Sequence, residues 1–187
     1  MSNDYLFDTS RDALMFAFRF CGQQYAKAPE LMKGKVIGSG KGLIGLDGAG
    51  QAGFISREAR SLPKAQFYAL LARFTDRFNP CTKCGTEQPT DEWMGACKWL
   101  AEEYRIELAP EAHIKLMTLL VQRHFSPHKR SLADIATFFG DGLSKVKHIN
   151  AKLSPALKKL EGTAQAKIDE RLTYLGIVHS DSDEAAA

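Results

Sequence analysis

Along residues 131–152, SLADIATFFGDGLSKVKHINAK, apolar positions fall at helical spacing on both sides of a glycine. Ile135 and Ala136 lie side by side, Phe139 and Gly140 come four residues later, and Val146 and Ile149 follow three apart. The pattern predicts two short amphipathic helices joined by a tight turn. Ala136 is small enough to let a second helix cross close to the first. Gly140 can adopt the left-handed conformation that closes a helix without a Cβ clash. Ser144 is a natural N-cap for the helix that follows. Asp141 stands where an apolar residue would plug the turn, so Leu143 is expected to take that place in a slightly longer connection. The unit reads as a helix-turn-helix. With Val146 and Ile149 facing the core, the other faces carry Lys145, Lys147, His148, Asn150 and Lys152. These side-chain types meet phosphates and base edges. The expected DNA-binding set is Ser144, Lys145, Lys147, His148 and Lys152. The same pattern also occurs in helical proteins that never touch DNA.

The rest of the chain predicts a mainly α fold. Ser10 is expected to cap a buried first helix, RDALMFAFRFCGQQY, with Leu14, Phe18 and Cys21 on one face. Residues 34–53, GKVIGSGKGLIGLDGAGQAG, read as a loop with at most a short extended segment at 35–37. Pro63 opens a helix with a stripe of Phe67, Leu70, Leu71, Phe74 and Phe78, which Asn79 and Pro80 break. Trp93, Cys97, Leu100 and Tyr104 repeat at helical spacing in DEWMGACKWLAEEY. Pro110 starts a further helix, with Ile114, Met117, Leu120, Val121 and Phe125 turned inward. Ser154 and Pro155 form an N-cap and first-turn signature for a last helix reaching about Tyr174, with Gly162 as its weak point. The expected organisation is an N-terminal helical region over 1–109, a DNA-binding region over 110–177 and a disordered tail over 178–187. No internal repeat and no strong strand pattern is visible.

Composition narrows the setting. At 44% hydrophobic and 25% charged residues, the chain is an ordinary water-soluble globular sequence. No apolar run approaches the roughly 20 residues that span a bilayer. The opening MSNDYLFDTSRD lacks the basic segment and apolar core of a secretory signal, so a cytoplasmic location is expected. The net charge of +3 is modest, but residues 126–162 hold seven Lys or Arg against three acids. Everything outside that segment is therefore near −1. Basic charge gathers around the proposed recognition helix, as phosphate contact requires. A solvated lysine-rich helix face is the plainer alternative.

Four cysteines in such a compartment suggest thiols or metal ligands. Cys81-Thr-Lys-Cys84-Gly has zinc-knuckle form: two thiolates spaced to reach one metal, then a glycine for the tight turn. Cys81, Cys84 and Cys97 are the expected Zn²⁺ ligands, with Cys21, His113, His124 and His128 open as the fourth. Against this, Cys97 and Cys21 each lie on an apolar helical stripe, where cysteine commonly serves as a small core residue. Gly40, Gly42 and Gly45 match G-x-G-x-x-G, but Gly42 follows Lys41 where a phosphate loop needs Ser or Thr. No βαβ unit surrounds the glycines, as a dinucleotide fold would require. No nucleophile–base pair or carboxylate constellation stands out, so the chain is not expected to be an enzyme or to have a small-molecule substrate.

The segments DALMFAFRFCG, KAQFYALLARFTDRF running into CTKCG, and SLADIATFFGDGLSKVKHI are similar to parts of the late-gene antitermination proteins of lambdoid phages, the Q proteins. Together they cover about a third of the chain. Members of the lambda type carry a second CxxC, whereas this chain offers only Cys97 in MGACKWL. The resemblance implies a zinc-binding segment beside a helix-turn-helix, in a protein working in the bacterial host cytoplasm. It also implies binding to DNA near a late promoter and loading onto a paused RNA polymerase with its sigma factor, so that terminators are read through. A dimeric repressor or activator, or a phage-encoded inhibitor of a host enzyme, would account for the same helical pattern.

Overall fold

The computed structural model describes residues 6–26, 46–81, 83–127 and 129–179. It is mainly helical. In chain order the elements are α1 (Ser10–Ala26), α2 (Leu46–Arg60), α3 (Lys64–Phe74), β1 (Phe78–Pro80) and β2 (Glu87–Pro89). They continue with α4 (Asp91–Leu108), α5 (Ile114–Phe125), α6 (Leu132–Phe139) and α7 (Leu143–Tyr174). Among the described residues no helix is long and apolar enough to cross a membrane.

The 32-residue α7 organises the protein. At 1.5 Å per residue it is about 48 Å long. Val146, Ile149, Leu153, Leu157, Ala164, Ile168 and Leu172 recur on one face of it and are buried. The first four join a core with Ala69, Trp93, Leu100, Leu116, Phe125 and Ile135, which draws on both sides of residue 109. The last three join a second core with Phe7, Leu14, Ile55, Leu70 and Phe74. One amphipathic rod therefore backs both cores.

Several local expectations are corrected. Pro155 lies inside α7 rather than at the start of a helix, and Gly162 does not interrupt it. The proline removes one backbone donor, but residues 151 and 155 are both exposed, so water can satisfy the freed carbonyl. Residues 46–53 are helical rather than loop, because Gly48 and Ala52 pack with Ile55 and Ala59 as a thin buried face. The glycines Gly40, Gly42 and Gly45 and the segment 35–37 lie outside the described residues. Thr9, not Ser10, caps α1: its Oγ1 accepts the Asp12 N–H at 3.1 Å. Ser10 is buried and donates to Asp169 on α7, while Gln165 Nε2 donates to Ser10 Oγ at 2.9 Å. The α3 stripe stops at Phe74, and Phe78 sits on β1, 47% exposed and 5.9 Å from the Trp93 ring. Pro110 opens a turn, and α5 begins only after His113, whose Nδ1 accepts the Lys115 N–H at 3.2 Å. Val178, assigned to the tail, is buried and bridges Phe7. Behind it Gly176 takes φ +68° and closes α7, with the Ile177 N–H bonded back to the Leu172 carbonyl at 3.0 Å.

Gly53 is exposed in α2, and a Cβ there would meet nothing within 4 Å. Gly53→Ala should stabilise the protein by about 1 kcal/mol through helix propensity and the loss of unfolded-state freedom. Chemical denaturation measures it directly.

Polar pins hold the elements in place. Arg73 on α3 makes a two-pronged contact with Glu161 on α7, Nε to Oε1 at 2.5 Å and Nη2 to Oε2 at 2.8 Å. His124 on α5 approaches the same carboxylate at 3.4 Å. Burial works to raise the Glu161 pKa, but hydrogen bonds from His124 and Arg73 and the charge on Arg73 win, holding it at about 2. Glu58 on α2, 6% exposed, is likewise held below the usual carboxylate range by its hydrogen bond from Arg171. The Glu161 carboxylate thus favours the folded state fully above its ordinary pKa of 4.5, and that contribution fades as pH falls from there through about 2. Glu161→Gln should cost about 2 kcal/mol at pH 7, below the 3–5 of a fully buried pair because both partners keep some solvent contact. The deficit relative to the native chain should shrink on acidification. Urea unfolding of both proteins at pH 7 and pH 3 checks the sign.

Candidate nucleic-acid interface

The α5–α6–α7 region is built from the ends inward. Arg123 on α5 donates from Nε to the Arg130 carbonyl at 2.8 Å, tying the α5–α6 link to α5. Ser131 caps α6, with its Oγ accepting the Asp134 N–H at 3.0 Å. Ile135 and Ala136 form the buried side of α6. Gly140 takes φ +66°, and the Asp141 N–H bonds to the Ala136 carbonyl at 3.0 Å while the Gly140 N–H bonds to that of Thr137 at 3.2 Å. This pairing closes a helix whose next residue is left-handed, and a residue with a Cβ would be strained at 140. Gly142 then stands at the N-cap of α7 without a side-chain cap. Ser144 is one residue inside the helix and caps nothing. Leu143 is 38% exposed and does not plug the turn. Val146 and Ile149 close the gap instead, packed in one core with Ile135 and Ala136.

Of the proposed DNA-facing residues, Ser144, Lys147, His148 and Lys152 are exposed on α7, opposite its buried face. Lys145 is exposed too, but its Nζ is paired with Asp141 Oδ1 at 2.7 Å, so much of its charge is already answered. Because α7 does not stop at Ser154, the outward arc continues into Lys158 and Lys159, both exposed. Sequence reading missed these two, although Lys159 lies seven residues beyond Lys152 and so shares its face in an unbroken helix. Between Asp141 and Glu161 the chain contains no acidic residue. Lys129 and Arg130 add exposed positive charge just before α6.

The cysteines divide. Cys81 and Cys84 lie at the tip of the β1–β2 hairpin, which pairs Phe78 with Pro89, Asn79 with Gln88 and Pro80 with Glu87. The Cys81 N–H bonds to the Thr86 carbonyl and the Gly85 N–H to the Cys81 carbonyl, both at 2.8 Å. Gly85 takes φ +72°, the tight turn that the glycine was expected to allow. Hydrogen bonding from the Thr86 side chain, 2.9 Å from Cys84 Sγ, lowers the Cys84 thiol pKa. Cys97 is elsewhere. It is fully buried among core residues, and burial pushes its thiol up to about 12. The Arg77 guanidinium acts on it in the opposite sense, favouring the thiolate, but burial wins. His113 caps α5 and His124 faces Glu161. The Cys21 side chain and His128 lie outside the described residues. Among the described residues no three or more His, Cys, Asp or Glu are grouped to hold a metal ion. Cys81 and Cys84 thus share the hairpin tip, and among the described residues Cys97 is not grouped with them.

No protein-family model matches the chain, and neither does any curated protein or solved structure.

Proposed function

We propose that the chain binds double-stranded DNA through α6 and α7, as a helix-turn-helix, and acts on transcription. The observation that carries this reading is the outward face of α7. Over its first five turns Ser144, Lys147, His148, Lys152, Lys158 and Lys159 are exposed, and no acid intervenes. A major groove about 12 Å wide admits one helix. Seated there by its first turns, α7 would place Ser144 and His148 toward base edges and the lysines toward phosphates. Lys129 and Arg130 would meet the backbone on the α6 side. The left-handed Gly140 closes α6, and the small Ala136 packs in one core with Val146 and Ile149, which leaves the opposite side of the start of α7 exposed.

The resemblance to phage antitermination proteins directs the transcriptional role toward readthrough. Transcription by purified bacterial RNA polymerase from a template carrying a terminator tests it, with and without the protein. More full-length transcript past the terminator supports antitermination. Reduced initiation with unchanged readthrough would make the protein a repressor, and duplex DNA that fails to bind at all would remove the DNA-binding reading.

A further inference from the structure

A second basic feature lies away from the outward face of α7. A cleft of about 510 Å³ opens between α1, the end of α3, β1 and the α5–α6 link. Arg19, Arg73 and Arg77 line it, against two carboxylates, Asp76 and Glu87. Two of the three guanidinium groups are engaged. Arg19 Nε is 3.1 Å from Asp76 Oδ1, an ion pair without hydrogen-bond geometry, and Arg73 grips Glu161. Among the described residues Arg77 has no carboxylate within ion-pair distance, and its Nε is buried without a hydrogen-bond partner. Burial, and then repulsion from Arg73 and Arg19, disfavour its charge. A half-buried guanidinium held beside two others and left unpaired is a costly arrangement unless an anion completes it.

We propose that this cleft binds the phosphate of a nucleotide, with Arg77 as its principal ligand. A guanidinium fork matches two phosphate oxygens at once, and Arg77 is the one of the three guanidinium groups with no carboxylate partner among the described residues. The volume exceeds what inorganic phosphate needs and lies within the range of small-molecule sites. Phe78, 47% exposed, lines the same cleft and offers an aromatic face to a base. The nucleotide is either free or part of a nucleic-acid strand, and in both cases the phosphate is the group recognised. This site is independent of the α7 reading, since none of its residues belongs to the α7 face.

Calorimetric titration of the full chain with inorganic phosphate, a nucleoside monophosphate and the corresponding phosphate-free nucleoside tests the proposal. The monophosphate should bind most tightly and the nucleoside not measurably. Arg77→Gln should weaken monophosphate binding about tenfold or more, the loss of a charge-assisted contact. Arg77→Lys should restore part of it. Lys152→Ala, on the α7 face, should leave it unchanged. Because Arg77→Gln removes an unpaired, half-buried charge that Arg73 and Arg19 repel, its melting temperature without ligand should not fall, which separates a ligand-binding arginine from a structural one. Displacement of the monophosphate by a DNA oligonucleotide would assign the phosphate to a nucleic-acid strand, and absence of displacement to a free nucleotide; both support the cleft. Absence of monophosphate binding to the native chain, or equal binding to Arg77→Gln, would overturn it.

Discussion

Replacing Lys147, Lys152 and Lys159 together by alanine should lower duplex affinity by roughly a thousandfold at moderate salt. Each lysine would lose one charge-assisted phosphate contact, about tenfold in affinity apiece. The slope of log affinity against log salt should fall by about three units, since each phosphate contact releases close to one counterion. The fold should survive, because all three side chains are exposed and none is paired in the described ion pairs. Lys152 and Lys159, seven residues apart, share one face of the helix and Lys147 lies further round its exposed side, so their loss leaves Lys158 as the remaining unpaired lysine of the basic arc. Equal affinity and slope in the variant would mean that this face does not meet DNA.

Ala136→Leu should have the second largest effect, through packing rather than contact. Ala136 is 4% exposed and shares a core with Val146 and Ile149. Its carbonyl accepts the Asp141 N–H that closes the turn. A leucine there overpacks the crossing at about 1–3 kcal/mol and pushes the start of α7 off its angle. DNA affinity should drop although residue 136 need not touch DNA. Ala166→Leu is the control, on an exposed part of α7 beyond the basic face, and should be nearly neutral because both residues favour helices. Denaturation and duplex binding measured on both variants separate the effects. An Ala136→Leu protein with native stability and affinity would contradict a close α6–α7 crossing at that residue.

The parts of the fold written in local chemistry were readable from the chain. Gly140 closes α6 in a left-handed conformation, and the stripe of Trp93, Cys97 and Leu100 faces the core. What misled was chemistry with two meanings. Ser154-Pro155 is a helix start by composition, yet α7 runs through it because Leu153 and Leu157 stay on the buried face either side. That continuity carries Lys158 and Lys159 onto the basic arc. Glycines in 46–53 read as loop, but small residues also let α2 lie close against α1. The β1–β2 hairpin has three-residue strands, all exposed, and therefore no alternation to detect. The spacing of Cys81 and Cys84 predicted their turn, whereas the buried placement of Cys97 depends on packing around α4. The convergence of Arg19, Arg73 and Arg77 joins α1 to the far end of α3 and leaves no trace in sequence spacing.

On the proposed reading, the outward face of α7 reads a DNA duplex. Selection from a pool of random duplexes tests it most directly, performed with the native chain and with His148→Ala. The native protein should enrich one sequence motif, and His148→Ala should relax preference at a position within it while keeping most of the salt dependence. No enriched motif with the native chain, or the same motif at the same strength with His148→Ala, Ser144→Ala and the triple lysine variant, would contradict it.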